Sequence, residues 1–355
     1  MARNLSTSMT ATKFALLPIV GLSSDAPAKV VCRGALMSRS YALGVAAAVF
    51  ATFSWALNFL SPYMMGAFGP IDFITLRFIV SGCIGLVMLR IYWPGDPVLT
   101  RRSILNAGLL GVLGYAVYIG CIMGSVLNGG AIIAPAFLSA TPVIIAVAGN
   151  MIERTTTWSS LAVPIILAVC GLVAANYGTL VGVLDNDLTS YLVAVSYAVG
   201  AVLTWLMFSI LNQKMLAKIP RVHAGLWTGL MMVGAGLSVV IFVPFGLVLD
   251  LYTYPHLDLH LGKTLPVLAA AAALACVASV GGAWAWNFAS QRLPMALSGQ
   301  LISVETIFAV AFGLIAEQRL PTGLEVLGIV GLLAGASIAV RVMAQGDREG
   351  VKVQG

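Results

Sequence analysis

Ten stretches of about twenty predominantly apolar residues divide this chain, near 41–65, 70–92, 104–125, 131–151, 160–182, 189–211, 224–247, 265–287, 295–315 and 323–343. A bilayer's hydrocarbon core is about 30 Å thick, and a helix rises about 1.5 Å per residue, so about 20 apolar residues carry a helix across. Lipid offers no partner to a backbone N–H or C=O, so a spanning segment must satisfy its own. The pattern predicts an all-α integral membrane protein with ten transmembrane helices. Composition closes off the alternatives. Of 355 residues, 60% are hydrophobic and 9% charged, and the mean hydropathy is +0.99. A soluble domain carries about 25% charged residues. Soluble enzyme, nucleic-acid binder, disulfide scaffold and disordered regulator are therefore excluded.

The net charge of +6 has no basic patch behind it, so it points to topology rather than to nucleic acid. If the amino terminus is cytoplasmic, sixteen Lys and Arg fall on the inner side, Lys263 and Arg319 fall outside, and Arg77 lies within the second helix. Both termini are accordingly expected in the cytoplasm, with residues 1–39 and 346–355 as tails. The stretch from Phe14 to Leu22 is too short to span. With Ala26-Pro27-Ala28 after it, it reads as a faint secretory signal, as plain tail, or as sequence upstream of a start at Met37. Four of the five cysteines, Cys83, Cys121, Cys170 and Cys276, fall inside apolar runs without C-x-x-C spacing and are expected to be buried, inert thiols.

Residues 131–175 align without a gap onto 295–339: Ser139, Gly149, Glu153, Gly171 and Ala175 fall on Ser303, Gly313, Glu317, Gly335 and Ala339. A weaker match sets Ser54-Trp55 against Thr204-Trp205. Helices one to five thus repeat as six to ten, over 40–182 and 183–345. Five is odd, so the second copy enters the membrane from the opposite side. Inverted repeats of this kind build secondary transporters that rock around a central site.

The links GNMIERTTTW (149–158) and GLIAEQRLPT (313–322) each follow a helix ending in Gly-x-x-x-Glu. Together with Trp55 and Asn58 in the first helix and Leu76-Arg77-Phe78 in the second, they resemble the EamA-type transporters of the drug/metabolite transporter superfamily. Thr306 departs from the pattern where many members place Pro, which Pro142 keeps in the first copy. The resemblance implies a ten-helix carrier of small metabolites in the cell (plasma or inner) membrane, with amino-acid exporters prominent. It leaves the solute open.

Ionisable residues inside the hydrocarbon are costly and therefore functional candidates. Glu305 lies near the middle of the ninth helix, where it could exchange a proton, pair with a cationic solute, or fasten two helices. Arg77 could meet a substrate carboxylate bidentately, snorkel outward, or pair within the protein. Trp55 with Asn58, Tyr115 with Tyr118, and Trp284 with Asn287 are each three apart and so share a helix face, with Trp286 beside the last pair. Gly129-Gly130 with Pro135, and Gly281-Gly282 with Pro294, mark the third–fourth and eighth–ninth helices as the walls of a cavity. Gln300, at the head of the second repeat segment, joins the binding candidates.

No metal and no cofactor are expected. His256 and His260 form H-x-x-x-H without a third ligand, and P-loop, G-x-S-x-G and H-E-x-x-H motifs are absent. The expected function is a secondary active transporter, exporting a small organic metabolite by alternating access, not an enzyme. Its partners are the solute and the bilayer, and it acts as a monomer or homodimer. The rivals are a membrane enzyme on lipid or isoprenoid substrates, and a channel or accessory subunit.

Overall fold

A computed structural model describes residues 39–93, 99–153, 157–186, 188–218, 223–256, 261–293, 301 and 304–353. Among these residues the regular structure is helical: α1 (Tyr41–Met64), α2 (Pro70–Tyr92), α3 (Arg101–Gly129), α4 (Ile133–Ser139), α5 (Thr141–Glu153), α6 (Trp158–Asn186), α7 (Leu188–Lys218), α8 (Ala224–Val248), α9 (Gly262–Ser290), α10 (Val304–Ala316) and α11 (Gly323–Val353). Eight of them, α1, α2, α3, α6, α7, α8, α9 and α11, are long and apolar enough to cross a membrane. The fourth and ninth expected spans correspond to shorter apolar helices, over Ile133–Ile144 and Val304–Ala316.

Proline chemistry explains two departures from a straight helix. Pro142 has no N–H to offer the Leu138 carbonyl, and the chain turns at Ala140 between α4 and α5. Pro62 likewise cannot bond the Asn58 carbonyl, so the Ser61 N–H takes it instead, and α1 tightens into a 3-10 turn over Leu57–Leu60. Two other helices loosen where α1 tightens. Val112–Val117 in α3 and Ala275–Gly281 in α9 are π turns, within the third and eighth of the ten apolar stretches. Such turns re-aim the side chains that follow and recur at functional sites.

Helix pairing rests on small residues, as it does where lipid removes the hydrophobic drive between helices. A Cβ placed on Gly85 would stand 2.8 Å from the Gly229 carbonyl oxygen, and one on Gly82 3.1 Å from the Gly236 Cα, so α2 and α8 meet backbone to backbone. Gly171 and Gly328 bring α6 and α11 equally close. The remaining contacts come in matched sets. The second half of α3 packs on α7 as the second half of α9 packs on α1, and α4 meets α7 as α10 meets α1.

The outer faces carry large apolar side chains, among them Leu86, Val169 and Leu203. Cys83, Cys170 and Cys276 lie on these faces, and Cys121 is half-buried. The expectation of buried thiols is corrected accordingly, because in a membrane helix an apolar position is as often lipid-facing as core. Cys32 lies outside the described residues.

Candidate functional site

Arg77, two turns into α2, is 1% exposed. Its Nη2 donates to Asn58 Oδ1 at 2.6 Å, its Nε to Ser279 Oγ at 3.0 Å and its Nη1 to Ser61 Oγ at 3.5 Å. Asn58 stands in the 3-10 turn that Pro62 imposes, and Ser279 in the π turn of α9. One guanidinium thus ties α1, α2 and α9 together through neutral acceptors, and no ion pair to it occurs among the described residues. Of the three roles open to Arg77 in the sequence, the geometry matches pairing within the protein. Asn58 serves this brace.

Aromatic side chains from both halves of the chain meet beside it. The Trp55 ring lies 5.2 Å from Trp205, edge to face, and 5.4 Å from Trp286. Trp205 lies 5.2 Å from Tyr118 and 5.4 Å from Phe208, and Phe208 lies 5.6 Å from Tyr115. Two glycines make room: a Cβ on Gly282 would stand 2.7 Å from Trp55 Nε1, and one on Gly114 would run into the Phe208 ring. Trp55, Tyr115, Tyr118 and Trp286 therefore come together as the helix spacing suggests. Trp205 and Phe208 were missed as site residues; the only signal was Trp205 standing opposite Trp55 in the repeat.

Trp284 falls outside the cluster. It is 37% exposed and packs on Phe288, whereas Asn287 is buried and donates to Thr228 Oγ1 at 2.9 Å. A three-residue step turns a helix by about 300°, so this pair straddles the border between core and lipid face.

Glu305 sits in the first described turn of α10, one turn before Phe308 and two before Phe312, which both meet Phe53 edge to face at 5.4 Å. Its side chain is half-buried, and its buried Oε1 has no hydrogen-bond partner among the described residues. Gln300 and Pro294 lie outside the described residues.

At the end of the bundle where α1 and α10 finish, Glu317 acts as a clasp. Its Oε1 accepts from Tyr63 Oη at 3.0 Å and from the Ala131 N–H at 2.8 Å, and its Oε2 meets Arg319 Nε at 2.7 Å. Arg319 Nη1 continues to Glu325 at 2.9 Å, and that bond holds the guanidinium above its ordinary pKa. Gly130, at φ 76°, makes the turn that presents Ala131. The glutamate of the second Gly-x-x-x-Glu thus holds the α3–α4 turn and the end of α1, a role its repeat position did not reveal. Nearby Asp72, also missed, is buried and accepts from the N–H groups of Gly69 at 2.8 Å and Thr253 at 3.1 Å.

A groove of about 360 Å3 lies between α10 and α11, with Ile307, Val310, Leu314, Val330 and the clasp residue Arg319 among its lining. His256 pairs with Asp250 at 2.9 Å, and His260 lies outside the described residues. No group of three or more metal-ligating side chains occurs among the described residues.

Residues 42–177 match the model of the EamA-like transporter family. Over 308 residues the chain is 28% identical to the inner membrane protein YtfF of Escherichia coli (strain K12), covering 84% of this chain and 95% of that protein. A crystal structure of another protein shares the fold, with a TM-score of 0.53 at 16% identity, over 86% of this chain and 98% of its own.

Proposed function

Because residues 42–177 match the model of the EamA-like transporter family, we propose that the chain is a secondary active transporter that exports a small organic metabolite by alternating access, with amino acids the favoured class. It is a multi-pass protein of the cell's inner or plasma membrane. The eight full-length spans, the two short helices in the fourth and ninth places, the gapless repeat and the matched helix contacts support ten helices in two inverted halves, 40–182 and 183–345. The split of sixteen basic residues against two supports cytoplasmic termini.

The observation that carries this reading is Glu305, a half-buried side chain whose buried Oε1 has no hydrogen-bond partner among the described residues, on the helix whose Phe308 packs against an aromatic core to which both halves contribute. Trp55, Tyr115, Tyr118, Trp205 and Trp286 line the solute path, and Glu305 exchanges the coupling proton. Arg77 with Asn58, and Asn287 with Thr228, brace the helices around it. Purified protein in liposomes, screened against a metabolite panel with and without a proton gradient, tests the proposal. Gradient-driven flux of at least one solute, abolished by Glu305→Gln in folded protein, is expected. Undiminished gradient-driven flux in that variant removes Glu305 from the coupling step, and no flux of any solute removes the transporter reading.

A further inference from the structure

The two intramembrane charges leave this structure in opposite conditions. Arg77 is the one Lys or Arg buried among the described residues, and all three of its nitrogens already donate to Asn58, Ser61 and Ser279. A substrate carboxylate reaching it would have to displace a 2.6 Å bond inside a site almost wholly closed to water. Glu305 is the reverse. Its Oε1 is buried with nothing to accept from among the described residues, although an unpaired polar group in such surroundings is costly. Of the carboxylates that are buried whole, Asp72 accepts through Oδ2 from the N–H groups of Gly69 and Thr253, with its Oδ1 left without a partner among the described residues, and Glu325 Oε2 accepts from the Thr322 N–H and from Arg319.

The aromatic core that the Glu305 helix packs against suits a cationic partner. Phe308, one turn on, packs against the core that contains Trp55, Tyr118 and Trp205, in which the Tyr118 and Trp205 rings lie 5.2 Å apart. The faces of Trp, Tyr and Phe attract a cation through their quadrupoles, and more strongly once water is excluded. A carboxylate there would face the charge of Glu305, and the one cation buried among the described residues, Arg77, is already bonded.

We infer that the solute is recognised as an amine: its ammonium group donates to Glu305, and its apolar body lies against Tyr118, Trp205, Trp55 and Trp286. The inference rests on the transporter reading above and names the substrate class of that site. Within an amino-acid solute it assigns recognition to the amino end, with the carboxylate left to water or backbone N–H groups.

Three near-isosteric probes separate the possibilities: 2-phenylethylammonium, 3-phenylpropionate and 2-phenylethanol, titrated into the full-length protein in nanodiscs and read by tryptophan fluorescence. The ammonium should bind at least about tenfold more tightly than either other probe, the ratio that one charge-assisted contact supplies. Glu305→Gln should bring it down to the level of the alcohol, and Glu305→Asp should keep the preference. If Glu305→Gln fails to fold, the ranking of the three probes on the unaltered protein decides alone. Equal or tighter binding of 3-phenylpropionate overturns the inference, as does an ammonium preference that survives in folded Glu305→Gln. Flux of solutes that lack an amine, in liposomes, overturns the amine class and leaves the transporter reading standing. Failure to bind any probe or move any solute overturns both.

Discussion

Asn58→Leu removes the shortest of the bonds that hold Arg77 and puts an apolar side chain of similar size in its place. The 2.6 Å separation and the charge on the donor put this bond in the class worth about 1.5–3 kcal/mol. Water cannot take the place of the lost acceptor at a guanidinium that is 1% exposed. Ser61 at 3.5 Å is at the limit of bonding distance, so Ser279 would remain the one strong acceptor. Arg77→Met removes the donor and leaves Asn58 unpaired. The double variant leaves neither group unpaired, so a double-mutant cycle should return a coupling of about 2 kcal/mol. Equilibrium unfolding in mixed micelles measures it. A coupling below about 0.5 kcal/mol, the scatter expected of independent sites, would refute the brace. So would variants of unchanged stability that have lost affinity for a carboxylate-bearing solute, since Arg77 would then be reading the substrate.

Glu317→Ala should lower stability by about 1–3 kcal/mol, a range reduced for partial exposure, because it releases Tyr63, Ala131 and Arg319 together. Glu317→Gln should recover part of that loss, since its amide oxygen can still accept from Tyr63 and Ala131; thermal unfolding of the three proteins compares them. Gly85→Val should cost about 1–3 kcal/mol or more by forcing α2 from α8. Leu86→Ala, one residue on and 58% exposed toward lipid, should stay within about 0.5 kcal/mol in the same unfolding assay.

Much of the architecture could be read directly from the chain. Eight full-length spans appear where apolar runs of the required length occur, because lipid imposes both the length and the helix. The break at Ala140 is legible in Pro142 and the tight turn at Asn58 in Pro62, since a missing N–H acts locally. The π turns left no comparable mark. The site was legible in its residue types but not in its pairings. Tyr118 and Trp286 face the core while Trp284 meets lipid, and no periodicity separates these cases when both faces are apolar. Asn58 looked like a binding amide because its partner, Arg77, lies on another helix.

Hydrophobicity and helix length are properties of local sequence, and they alone determine that this chain is a helical membrane protein. Tertiary structure decides which of its two intramembrane charges is spent. Arg77 finds Ser279 across 202 positions of chain, and Glu317 finds Tyr63 across 254. Glu305 Oε1 finds no partner among the described residues. Partners that far apart depend on how the two halves pack, so which charge stayed free could be seen only once they had been brought together.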